Sequence, residues 1–211
     1  MRRHPDTLPV VTQEPPNLPS TSWVLLGLLS FGQELSGYDL KKWADRSLNP
    51  FYWSPSYSQI YGELKRLEAV GHVVSSIEPA EGTRGKRVYA ITEKGRDAVR
   101  HWAREAPVEP PVLKHGPMLR VWLGHLLAPE RLREIITQHR DHAEETSRLV
   151  SGAELPAGAS AGEYPEMALR WSQRYHEIER ELAQRMLEDL DELAAHPRPK
   201  PVPGAYAKFR K

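Results

Sequence analysis

The chain has 211 residues, a net charge of +1, ordinary hydrophobic (39%) and charged (27%) fractions and no cysteine. That length leaves room for one large core or two small ones, and the missing thiols exclude disulfides, thiolate metal sites and cysteine nucleophiles. The longest apolar run, residues 23–29, is far too short for a bilayer, and no apolar core of signal-peptide length follows the first arginines, so a soluble cytoplasmic protein with no membrane partner is expected.

Residues 1–19 hold five prolines and little periodicity and read as a flexible arm. Ser20 or Thr21 can cap a first helix to about Ser30, with Val24, Leu25, Leu28 and Leu29 at helical spacing. Ser36 and Asp39 have capping-box spacing and open a second helix whose stripe is Leu40, Trp43, Ala44 and Leu48. Ser54-Pro55 is a serine cap followed by a proline at the first helical position, so a third helix is expected from there to Gly71. With Leu64 at the centre of its buried face, Tyr57, Ile60, Tyr61 and Leu67 fall inward, and Gln59, Gly62 and Arg66 fall outward, flanked by Ser58 and Lys65.

Residues 72–77 and 87–91 are rich in β-branched side chains and predict a hairpin, and Thr92 caps a fourth helix with Ala98, Val99 and Trp102 inward. Four prolines and Gly116 in residues 107–117 mark a boundary. Helices are expected beyond it at about 118–127, 129–151 and 164–195, with a small-residue loop at 152–162. In the last of them Tyr164, Ala168, Trp171, Tyr175, Ile178 and Leu182 begin a stripe that runs on to Leu193. A helix of about thirty residues is roughly 45 Å long, too long to be covered within so small a domain, so a second chain is expected against it.

Helix, glycine stop, strand, basic loop and strand make up the second half of a winged helix-turn-helix. The segments LLGLLSFGQELSGYDLKK, YSQIYGELKRLEAVGHV and RGKRVYAITEKGR together resemble the PadR family of bacterial transcriptional regulators over residues 21–105. The longer helical region is similar to the dimerisation half of larger members. The resemblance implies a homodimer on inverted-repeat operator DNA, often a repressor released by a small aromatic or otherwise apolar effector. One departure is Gly62, where many relatives carry proline.

The expected fold is therefore mainly α: a winged helix of three to four helices plus a two-stranded wing at 20–105, a linker at 106–117, a coiled-coil-like helical region at 118–195 and a basic tail at 196–211. For readout of a major groove, Gln59 suits adenine, Arg66 suits guanine, and Ser58 and Lys65 suit base or phosphate, while Gly62 lets the backbone approach closely. Ser56 and Tyr61 join this set, Tyr57 and Tyr61 being expected in the core with a hydroxyl free for phosphate, and Tyr89 in the core.

The wing contributes Thr83, Arg84, Lys86 and Arg87, with no acid between Thr83 and Thr92. Trp122, Trp171 and Tyr175 are the candidates for stacking on an effector. His139, His142 and Glu145 share a helix but read as a solvated face, so no metal or cofactor is expected, and no nucleophile elbow, phosphate loop or paired-acid set suggests an enzyme. The alternatives are a winged-helix protein-interaction module, which the near-neutral charge favours, and a small-molecule-binding helical scaffold without DNA binding.

Overall fold

The computed structural model describes residues 18–79, 85–152 and 162–196. The expected terminal arm up to residue 17, the wing tip with Thr83 and Arg84, most of the 152–162 loop and the basic tail beyond residue 196 lie outside the described residues. The described chain divides into two compact units, one with the first four helices and the hairpin, the other with the later helices.

In the first unit α1 is Ser20–Leu29, α2 Gly37–Ser47, α3 Tyr57–Ala69, β1 Val73–Glu78, β2 Lys86–Ile91 and α4 Glu93–Glu105. The strands pair antiparallel with Val73 opposite Ile91 and Glu78 opposite Lys86. Leu35 adds a one-residue bridge to Tyr89, exchanging backbone N–H···O bonds of 3.0 and 2.9 Å. The core joins Leu25, Leu26 and Leu29 of α1, Leu40 and Trp43 of α2, and Ile60, Leu64 and Leu67 of α3, closed by Val73, Tyr89 and Ile91 from the hairpin. Trp23 and Trp102 stack at 5.1 Å and bring α4 onto α1.

Local chemistry sets the boundaries. The Ser36–Asp39 capping box forms as expected. At α1 the cap position falls on Pro19, and Ser20 is already helical. α3 starts later than Ser54-Pro55 predicts, because Ser56 and Gln59 make their own capping box. Ser54 turns instead to α2, donating to Asp45 at 2.6 Å and accepting from Lys41 at 3.2 Å. Gly71, at φ +75°, closes α3: its N–H and that of His72 return to the Glu68 and Leu67 carbonyls at 3.0 and 2.9 Å.

Thr92 then caps α4 through the Gly95 N–H and donates to the Gly71 carbonyl, so the end of α3 and the start of α4 share one residue. A Cβ at Gly95 would sit 2.9 Å from the buried Ile91 side chain of β2 and closer still to the carbonyl oxygen of His72, just before β1. Gly95→Ala is accordingly expected to destabilise the first unit by about 1–3 kcal/mol through overpacking, read as a lower urea midpoint; an unchanged midpoint would mean that the α4–hairpin junction gives way freely.

The second unit holds α5 (Gly116–Trp122), a 3-10 turn (Gly124–Leu126), α6 (Pro129–Ser151) and α7 (Glu163–Ala195). The single helix expected near 118–127 is thus two short pieces. Leu132 and Ile136 of α6 pack on Ala183 and Leu187 of α7, and Arg133 pairs with Asp191. The buried side of α7 is Leu169, Ser172, Ala183 and Leu187, whereas Tyr164, Met167, Trp171, Ile178 and Leu182 are each more than half exposed. Among the described residues no helix is long and apolar enough to cross a membrane.

Candidate nucleic-acid interface

α3 is held from one side. Ile60, Leu64 and Leu67 are fully buried, while Ser56, Ser58, Gln59, Gly62 and Lys65 are exposed together on the other side. A Cβ at Gly62 would meet nothing within 4 Å, so the middle of this face is open. Its N-terminal end is closed by a capping box: the Ser56 Oγ accepts from the Gln59 N–H, and Gln59 Oε1 accepts from the Ser56 N–H at 2.8 Å. That engagement leaves the Gln59 side-chain NH2 to point outward.

Tyr57 and Tyr61, expected in the core, are instead 46% and 49% exposed. The reason is the neighbour they meet. The first turns of α3 run alongside the N-terminal end of α2, where Gly37 offers no side chain and the Tyr61 ring takes that space; a Cβ there would lie 2.5 Å from Tyr61 Cε1. Tyr57 stacks on Tyr38 at 6.4 Å, with Lys41 Nζ 6.0 Å from its ring. Two phenols therefore flank the polar face of α3. Tyr89 is buried, as expected.

Arg66 points back toward α1. Its Nη2 donates to Glu63 at 2.5 Å and to Ser22 Oγ at 2.7 Å, and Ser22 in turn donates to Glu63. Burial acts to raise the Glu63 pKa, but the hydrogen bonds from Arg66 and Ser22 outweigh it and hold the carboxyl below its ordinary value. The same pairing raises the Arg66 pKa. This guanidinium ties α3 to α1.

The base of the wing is likewise paired. Lys86 Nζ lies 2.7 Å from Asp39, the capping-box acid of α2, and Arg87 lies 3.9 Å from Glu68 of α3. Burial acts to raise the Asp39 pKa, yet hydrogen bonds from Lys86 and Ser36 keep it low. The acids that answer the basic wing come from other elements, out of reach of any local sequence window.

In the second unit the three effector candidates separate. Trp171 and Tyr175 stack on α7 at 5.4 Å, whereas Trp122 is 82% exposed on α5. Glu179 accepts from His115 at 3.1 Å and His139 at 2.9 Å, and its interaction with these two and with Tyr175 holds its carboxyl below the ordinary value against the effect of burial. His142 and Glu145, grouped with His139 by sequence spacing, are exposed and outside this cluster. No local signal marks His115, Glu179 and His139 as a group, since they come from three elements.

Burial lowers the pKa of both His72 and His139. Each therefore takes up a proton more readily unfolded, near pH 6.5, than folded, so stability falls as the pH drops from 6.5 toward the lowered values. Urea midpoints should be lower at pH 5.5 than at pH 7, and His72→Gln together with His139→Gln should narrow the gap; equal midpoints for the wild type would contradict both assignments.

Known proteins resemble the chain in sequence and in fold. The chain is 33% identical over 115 residues to the negative transcriptional regulator PadR of Bacillus subtilis, spanning 54% of this chain and 61% of that protein. It is 35% identical over 78 residues to a probable transcriptional regulator of Mycobacterium tuberculosis, spanning 37% of this chain and 40% of the relative. The chain thus matches less than two thirds of the length of either. Similar solved structures include a PadR-like regulator from Bacillus cereus (24% identity, TM-score 0.69, 82% of this chain and 99% of that one). Bacillus subtilis PadR is similar in its complex with operator DNA (22%, 0.68, 80% and 98%) and in its complex with p-coumaric acid (23%, 0.60, 81% and 94%). The fold, a winged helix followed by a helical region with one long helix, is that of these structures. Residues 25–101, which lie in the first unit, match the model of the Transcriptional regulator PadR-like family.

Proposed function

We propose that this protein binds inverted-repeat operator DNA as a homodimer and represses transcription until a small apolar or aromatic effector releases it. The observation that carries the reading is the exposed face of α3. Ser58, the Gln59 side-chain amide, Gly62 and Lys65 form a polar strip on a helix whose other side is fully buried, which is what insertion into a major groove requires. Ser56, Tyr57 and Tyr61 border the strip with hydroxyl groups suited to phosphate. Arg66 reaches a base only by leaving Glu63 and Ser22, and Lys86 and Arg87 reach phosphate only by leaving Asp39 and Glu68. Thr83 and Arg84 belong to the wing tip that would approach the backbone or minor groove.

The apolar stripe of α7, left exposed among the described residues, supports the second chain. A dimer sets two copies of α3 about 34 Å apart, one turn of DNA. The Trp171–Tyr175 stack offers a flat surface for an aromatic effector, and Trp122 a second one on α5. An effector that favours one arrangement of the arms by about 1–3 kcal/mol would release DNA 5- to 150-fold.

Lys65→Ala tests the placement of α3. Operator affinity should fall, and the slope of log K against log salt should become shallower by about one counterion. An unchanged slope would take this face away from the phosphates.

A further inference from the structure

We propose that His115, His139 and Glu179 form a binding site for one divalent transition-metal ion, of the zinc class, where the start of α5 meets α6 and α7. The inference does not depend on DNA binding. Their candidate ligand atoms all lie within 4.8 Å of one another. The two imidazole Nε2 atoms stand 3.1 and 2.9 Å from the same Glu179 oxygen. A tetrahedral ion with bonds of about 2.0–2.1 Å holds its ligands roughly 3.3 Å apart, so it enters once the two His–Glu contacts open by a few tenths of an ångström and the imidazole nitrogens, within 4.8 Å of each other, settle to the same spacing.

The chemistry of the donors fits as well as their spacing. Two imidazoles and one carboxylate are borderline-hard ligands that suit zinc, and three protein ligands leave a fourth position for water or an incoming anion. All three side chains are mostly buried, 13–17% exposed, so few waters compete for them. Burial keeps His139 toward its neutral form, and hydrogen bonds from His115, Tyr175 and His139 outweigh burial to keep Glu179 ionised, which are the states a metal needs.

The simpler reading is a polar staple that joins three elements and never meets an ion. The hydrogen bonds distinguish the two. His115 Nδ1 accepts from the Met118 N–H at 3.1 Å and so caps α5, which places the ring proton on Nε2, toward Glu179. A metal on Nε2 moves that proton to Nδ1, and Nδ1 can then no longer accept from Met118. Metal occupancy therefore exchanges the cap of α5 for a coordination bond. Trp122, at the end of α5, is placed to report the change.

The test uses the full chain after chelator treatment, titrated with Zn2+ in competition with a chromophoric chelator. One ion per chain is expected. His139→Gln and Glu179→Gln should each weaken binding by about 10- to 100-fold or more, while His142→Gln, on the exposed face of α6, should not. Should a cluster variant lose its helical signal, the Co2+ complex of the wild type decides: its visible absorption should have the intensity of a four-coordinate N/O site. Wild-type protein that takes up no ion, or binding indifferent to His139→Gln and Glu179→Gln, would leave the three residues as a staple only, as would a purely octahedral Co2+ spectrum.

Discussion

Gly62→Glu should eliminate operator binding while the fold persists. A Cβ at residue 62 would meet nothing within 4 Å, so a larger residue starts into open space and no core contact is lost. Replacing a mid-helix glycine also favours the helix: Gly62→Ala should raise stability by up to about 1 kcal/mol. The face is nonetheless the one proposed to approach DNA. A carboxylate there confronts phosphates and base-edge acceptors at close range, and like-charge juxtaposition costs several kcal/mol, which is a loss of at least about a hundredfold. The pair of variants separates folding from recognition. Gly62→Ala should be more stable yet bind somewhat more weakly, and Gly62→Glu should be folded and inert. Normal operator affinity in the glutamate variant, measured by anisotropy alongside its circular dichroism, would show that α3 faces something else.

The second large effect belongs to α7. Trp171→Glu combined with Ile178→Glu should convert the protein to monomers in sedimentation velocity, with its helical content retained. Both residues are more than half exposed, so the buried side of α7 and its packing on α6 are untouched. If the exposed stripe is the dimer seam, two charges within it leave uncompensated carboxylates in an apolar contact. DNA affinity should fall by about 100-fold or more, because the second half-site is no longer bound intramolecularly at high effective concentration. A double variant that stays dimeric would place the dimer contact elsewhere, and a monomer that keeps full affinity would detach recognition from dimerisation.

Much of the fold was legible because its signals are local. The Ser36–Asp39 box, Gly71 at the end of α3 and the Thr92 cap of α4 each act across a few residues, and periodicity located the length of α6 and α7. What the sequence left hidden depends on residues far apart in the chain. The Leu35–Tyr89 bridge involves one residue pair and no strand pattern. Arg66 falls on the outward arc by helical geometry, but Ser22 of α1 and the neighbouring Glu63 hold it inward.

The wing is purely basic along the sequence, and the fold brings Asp39 and Glu68 to it from other elements. Tyr57 and Tyr61 read as core residues because an apolar arc implies a covering neighbour, but at the N-terminal end of α3 that neighbour is Gly37. The His115–His139–Glu179 cluster has the same origin, since ligands from three elements leave no spacing to find.

The measurement that tests the central claim most directly is selection from randomised duplex DNA with the full chain, repeated with Gly62→Glu. The account predicts enrichment of one inverted repeat, with half-site centres about one helical turn apart, by the wild type and no enrichment by the variant. Failure of a folded wild-type dimer to enrich any sequence, or equal enrichment by Gly62→Glu, would contradict it.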